Sequence, residues 1–280
     1  MKRLIAVVLL ATLSAGFPTA MVSATGSPKV DPELGLKWLK DGNIRYTSGK
    51  LIHPHANADR RKETSANGQQ PYATILSCSD SRVPLEVVFD EGIGDLFVIR
   101  VAGNVCGDDQ IASAEYGVEH LGTPVLVVLG HTKCGAVTAV ATAAKVHGHL
   151  PKLASKIQPA VDKARSLHPD LHGTDLVPPA IEQNVWLGIE TLLKSSAILR
   201  ECVESGKTQI VGAVYDIEAG TIRWLGSHPD QEKLLKTEAV EPHKAPKAAK
   251  ASPKPAAQPA ESKAAQKPTT QPVSHIAQGH

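Results

Sequence analysis

No stretch of this chain looks long and apolar enough to be kept as a membrane span. The run Leu4 to Leu13 has ten residues, about half of what a bilayer core requires, so no transmembrane anchor is expected. No G-x-G-x-x-G follows the first strand-like segment, which argues against a dinucleotide fold, and there is no internal repeat. Cysteine is sparse: Cys78, Cys106, Cys134 and Cys202 are the only four. Nor does one sign of charge dominate. The net charge is +2, and the ends supply more than all of it: Lys2 and Arg3 near the start, and six Lys against Glu241 and Glu261 over residues 241–280. By difference residues 25–240 carry about −4, so the composition of the folded part makes no case for nucleic-acid binding.

The ends are set apart by composition. Lys2 and Arg3 precede the apolar run, and Val22-Ser-Ala24 places small residues where a signal peptidase cuts. Residues 1–24 are therefore expected to be a signal peptide, with an exported, periplasmic chain starting at Thr25, and residues 25–32 a linker. Residues 231–280 are expected to be a disordered Pro/Ala/Lys-rich tail. Residues 241–280 hold seven Pro and no aromatic residue, and such a composition cannot bury enough apolar surface to offset its ordering entropy. The tail could tether the protein to anionic cell-wall or membrane material, or simply solubilise it.

Residues 33–230 read as a single α/β domain. The apolar, β-branched runs Ala73 to Leu76, Leu96 to Val101 and Val125 to Leu129 have the look of buried strands. Thr208 to Ile217 and Thr221 to Leu225 are two more, joined as a hairpin by Glu218-Ala-Gly220. Helical spacing is expected around Glu33 to Tyr46, Gln110 to Leu121, Gly135 to Ala144, Leu153 to Leu167 and, as one long helix, Pro178 to Glu204. That alternation implies a mostly parallel central β-sheet flanked by helices, with the last strand antiparallel.

Two polar clusters end two of these strands. Cys78-Ser-Asp80-Ser-Arg82 follows the first, and Gly130-His131-Thr-Lys-Cys134-Gly135 follows the third. In an open parallel sheet, ligands bind at the edge where strands end, so the two clusters can converge despite their separation in sequence. Two thiolates and an imidazole suit zinc (Zn2+), with a fourth position left for water in a catalytic site, so Cys78, His131 and Cys134 are the expected ligands. An even cysteine count in an exported chain would ordinarily suggest two disulfides. The polar, glycine-bounded setting of Cys78 and Cys134 argues against a bridge there, whereas Cys106 and Cys202 are open to either state, with free thiols favoured. Taken singly, His131 would read as a core histidine and Asp80–Arg82 as a surface ion pair worth about 0 to 1 kcal/mol. Together at matching strand ends they are hard to explain as packing.

These residues, with Gly94-Asp-Leu-Phe-Val-Ile-Arg-Val-Ala-Gly-Asn104 and Gly212-Ala-Val-Tyr-Asp216, make the chain resemble a β-class carbonic anhydrase over roughly residues 33–226. The resemblance implies zinc-dependent interconversion of carbon dioxide and bicarbonate, with Asp80 paired to Arg82 and accepting a hydrogen bond from the metal-bound hydroxide. It also implies a substrate-binding Gln69, the amide of Gly135 in the pocket, Phe97 and Tyr116 as apolar and aromatic pocket positions, and a homodimer or homotetramer whose pockets draw on two subunits. Members with a regulatory bicarbonate site carry tryptophan where this chain has Ile75, together with an arginine and a tyrosine matching Arg100 and Tyr215, so no bicarbonate switching is expected. His120, four residues after Tyr116, is a candidate proton shuttle or else an ordinary half-exposed helix histidine. Two other functions are carried beside carbon dioxide hydration, the first separable from it only by the shape of the pocket. One is hydrolysis of carbonyl sulfide or carbon disulfide on the same scaffold. The other is a non-catalytic zinc or thiol protein, which would have no need of Gln69, Asp80 and Arg82.

Overall fold

The computed structural model describes residues 30–236. The expected signal peptide, most of the linker and the tail beyond 236 lie outside the described residues. Five strands, β1 (Ala73–Ser77), β2 (Leu96–Arg100), β3 (Val125–His131), β4 (Gln209–Tyr215) and β5 (Ile222–Gly226), form one sheet in the order β2-β1-β3-β4-β5. The first four run parallel and β5 is antiparallel to β4. Every residue of β1 and β3 is buried, because helices cover both faces of a parallel sheet and leave no strand position for water. Successive side chains part to the two faces. Leu76, Leu126, Val128 and Ile210 enter one core, and Ala73, Ile75, Val125, Val127 and Leu129 enter the other.

The second of these cores is closed by α1 (Pro32–Thr47) and the short α3 (Leu85–Val88). Asp31 starts α1 by accepting the Leu34 N–H at 2.8 Å, a standard way of satisfying a free amide at a helix start. The first core lies under α5 (Gly135–Ala141), α6 (Leu150–Leu167) and α7 (Val177–Ser195), with α2 (Ala58–Asn67) outside both. α7 runs close over the sheet. A Cβ at Gly188 would stand 2.9 Å from Val128 Cγ1, so glycine there sets how near the helix approaches β3.

Three expectations need correction. The long helix over Pro178 to Glu204 is two helices, α7 and α8 (Ala197–Glu204), because Ser196 turns extended (φ −117°, ψ 114°). Its Oγ accepts the Leu199 N–H and donates to the Glu115 carboxylate. The segment over Gln110 to Leu121 is α4 (Asp108–Glu115) followed by a π-helical turn at Tyr116–His120. Residues 231–235, assigned to the tail, form α9 (Gln231–Leu235), with Leu234 buried in the core. Among the described residues no helix is long and apolar enough to cross a membrane.

Candidate metal centre

Parallel register sets the site. Ser77 of β1 pairs with Leu129 of β3, so Cys78 leaves its strand at the edge where β3 ends in Gly130 and His131. The chain then turns sharply, with Lys133 at φ +56°, and delivers Cys134 at the start of α5. The ligand atoms of Cys78, His131 and Cys134 lie within 4.8 Å of one another, and all three residues are buried.

The imidazole is held in one tautomer. His131 Nδ1 sits 2.9 Å from the Thr132 carbonyl, which can only accept, so Nδ1 carries the proton and Nε2 is left with its lone pair. That buried Nε2 has no hydrogen-bond partner. A bare imidazole nitrogen beside two sulfurs, tautomer fixed by a backbone carbonyl, is the donor set of a borderline-soft cation such as zinc. Cys78 is held well below the ordinary thiol range, first by its hydrogen bond with Cys134, then by the amides of Gly103 and Asp80 at 3.2 and 3.4 Å. Cys134 is pushed up in turn by Cys78 and by burial.

Asp80 stands at the rim of this group. Arg82 clamps it with Nε to Oδ1 at 2.9 Å and Nη2 to Oδ2 at 2.7 Å, and the Arg82 N–H adds a third bond to Oδ1 at 3.0 Å. The Arg82 hydrogen bonds, foremost among the causes, hold the Asp80 carboxyl far below the usual carboxylate range. Asp80 Oδ2 lies 4.0 Å from His131 Nε2, so an ionised acceptor sits beside the ligand group. Arg82 also reaches the Lys133 carbonyl at 3.3 Å, tying the two clusters together. Arg100 braces the same loop by donating to the carbonyls of Cys78 (3.0 Å) and Asp80 (2.6 Å).

The structure thus brings together Cys78, His131, Cys134, Asp80, Arg82 and, at the head of α5, Gly135, where an added Cβ would meet open space. It does not bring Gln69, Phe97 or Tyr116 to that edge within one chain. Gln69 is exposed in the loop before β1. Phe97 pairs with Thr74 near the opposite end of β1. Tyr116, 45% exposed, has its ring 5.7 Å from that of Phe97 and stacks on His120 at 4.7 Å. Ile75 and Tyr215 are buried in the core, and Cys106 and Cys202 are free thiols.

Two contributors escaped the sequence reading. One is the Gly103 amide on the Cys78 sulfur. The other is Asn184, buried in α7, whose Nδ2 donates to the Gly103 carbonyl at 2.8 Å. The available signal was a polar residue among the core positions Ile181, Val185 and Ile189 of an apolar helix.

Comparison with known proteins agrees with this geometry. Residues 73–222 match the family model described as carbonic anhydrase. Carbonic anhydrase 2 of Mycobacterium tuberculosis is 37% identical over 198 residues, covering 69% of this chain and 92% of that protein. The carbonic anhydrase of Mycolicibacterium smegmatis is 34% identical over 206 residues, covering 72% and 96%. Among solved structures, the β-carbonic anhydrase CafA of Aspergillus fumigatus aligns with a TM-score of 0.57 at 31% identity, covering 62% of this chain and 84% of that one.

Proposed function

This chain belongs to the carbonic anhydrase family, within its β class, and from that premise we propose that it catalyses the reversible hydration of carbon dioxide to bicarbonate and a proton, with Cys78, His131 and Cys134 holding zinc. The observation that carries the proposal is the partnerless, buried His131 Nε2 beside two cysteine sulfurs, with an ionised Asp80 at their rim. Zinc bound there would supply Lewis acidity, lowering the pKa of a water to about 7. The protein's own groups do the rest. Asp80 accepts a hydrogen bond from the attacking water and fixes its lone pair towards the substrate carbon. Arg82 keeps that carboxylate ionised through bonds to both of its oxygens. The Gly135 N–H, at the open head of α5, is placed to donate to an oxygen of carbon dioxide or bicarbonate. The engagement of Asp80 by Arg82, the burial of Ile75 and the commitment of Arg100 to two carbonyls favour a site without bicarbonate switching.

We assign Gln69, Phe97 and Tyr116 to the pocket of a second copy in a homodimer or homotetramer, since β1 separates them from the metal edge of their own chain. Export to the periplasm is the setting we propose, and a mature mass beginning at Thr25 in a secreting host tests it. The function itself is tested by stopped-flow carbon dioxide hydration on the mature chain, with zinc quantified before and after chelation. Fast hydration that tracks zinc, near one ion per chain, is expected. Zinc bound at that ratio without hydration would refute the assignment and turn attention to carbonyl sulfide and carbon disulfide.

A further inference from the structure

We infer that Asn184 is a positioning residue for the metal centre: from α7 it fixes the Gly103 segment so that the Gly103 N–H points at the Cys78 sulfur. The inference rests on the zinc reading above and adds a residue whose side-chain hydrogen bond goes to the Gly103 carbonyl rather than to any of the three ligands. Asn184 is 3% exposed, and its Nδ2 donates to the Gly103 carbonyl at 2.8 Å across 81 positions of sequence. The N–H of the same glycine donates to Cys78 Sγ at 3.2 Å. Anchoring the oxygen on one side of Gly103 therefore constrains the donor on the other, because only φ and ψ of that residue lie between them.

The local backbone makes this anchoring necessary. Gly103 is left-handed, at φ +68° and ψ 20°, a region that a side chain makes costly. A Cβ there would come within 2.8 Å of Ile157 Cδ1 and 3.0 Å of Ala136 Cβ, so the segment is hemmed in by α6 and α5 on one side and held by α7 on the other. Asn104 next to it is left-handed too, at φ +41°. A segment with two such residues keeps its shape only where its surroundings over-determine it. Packing alone does not require an amide at position 184, since Ile181, Val185 and Ile189 on the same helix are apolar and buried, and a buried amide costs free energy unless it is bonded. The bond to Gly103 explains its presence. Groups that orient metal ligands from outside the coordination sphere typically change affinity by about 10- to 100-fold when removed.

The test uses the mature protein loaded with zinc, and separately with cobalt(II). Zinc affinity is measured by competition with a chromophoric chelator, and ligand geometry by the sulfur-to-cobalt charge-transfer absorption. Asn184→Leu removes the donor and keeps a side chain branched at Cγ. Asn184→Asp keeps the shape and sets an acceptor against the Gly103 carbonyl, and it carries the test if the leucine variant does not fold. Asn43→Leu is the control for general softening. Asn43 is also buried and donates to the carbonyls of Val88 and Gly220, but on α1 and away from the metal loop.

The expected result is a zinc affinity about 10- to 100-fold weaker and a shifted charge-transfer band in both Asn184 variants, with Asn43→Leu losing thermal stability but keeping the wild-type affinity and band. Wild-type affinity and band in the Asn184 variants would overturn the inference, as would an equal loss in Asn43→Leu. A wild-type protein that takes up no zinc would instead refute the function proposed above.

Discussion

Mixed assemblies of two inactive variants should recover activity if each pocket takes its glutamine from a neighbouring subunit. Gln69 cannot serve the metal site of its own chain. The Tyr72 N–H is already bonded to the Asp95 carbonyl where the sheet begins, and the six steps from Tyr72 to Cys78 at about 3.3 Å each put about 20 Å between them. Three residues doubling straight back from Tyr72 recover at most about 10 Å. Both flanks of β1 are taken by β2 and β3, so no lane exists along which the loop could double back. The assay co-expresses Gln69→Ala and Asp80→Ala chains with different tags and isolates the doubly tagged dimer. In a two-fold dimer each subunit presents the same patch to the other. One site of the mixed dimer then unites an intact Asp80 with an intact Gln69, while its twin lacks both, and the dimer should turn over at about half the wild-type rate. With Gln69 acting inside its own chain, every site would lack one group. A doubly tagged dimer no faster than its parents would refute the reasoning.

Other consequences are as direct. Asp80→Ala leaves Cys78, His131 and Cys134 in place, so bound zinc should stay near wild type while hydration falls about 100-fold or more through loss of orientation; metal analysis beside stopped-flow rates checks both halves. Glu91 is raised from its ordinary 4.5 to about 7, by burial first and then by the Asp95 charge. The folded state therefore holds a proton that the unfolded chain has released, and stability is greatest below the unfolded value and declines as pH rises through 7. That decline is worth about 1 to 2 kcal/mol once solvent screening is discounted, and urea titrations should show it removed in Glu91→Gln. Gly103→Ala should cost about 1 to 2 kcal/mol for its left-handed backbone alone, with a further cost from contact with Ile157. A melting temperature equal to wild type would contradict the conformation given for Gly103.

The strands were legible because burial on both faces leaves a continuous apolar, β-branched run, and each observed strand overlaps an expected one. The cluster of Cys78, His131 and Cys134 was legible for a related reason. In a parallel sheet, register converts position along a strand into depth, so clusters that end β1 and β3 must share an edge. Helix boundaries were harder to read. The apolar period of α7 continues into α8 through Leu199 and Cys202, and periodicity alone does not register a break. Ser196, a serine just ahead of an apolar run, was the overlooked stop-and-start signal. Likewise α9 is short and charged, and only the paired Leu234 and Leu235 separate it from the polar tail that follows in sequence.

Gln69 and Phe97 could be named from sequence, by resemblance, but not assigned to a site, and the reason is geometric. They sit at the N-terminal end of β1 and β2, whereas Cys78 and His131 sit at the C-terminal edge, with Phe97 about 13 Å short of that edge, four residues at 3.3 Å. No sequence spacing can state whether two ends of one sheet act together, because in the proposed assembly the answer depends on a second molecule. The exposure of the parts points the same way. Arg82 is 51% and Asp80 18% exposed at one end, and Tyr116 is 45% exposed at the other. Under the proposed function, a carboxylate open to water and an aromatic ring with an uncovered face are both incomplete alone. In the proposed dimer, a two-fold axis that laid the N-terminal end of one sheet against the C-terminal edge of its copy would cover both at once, would exclude water from the proposed carbon dioxide site, and would do so twice for one interface.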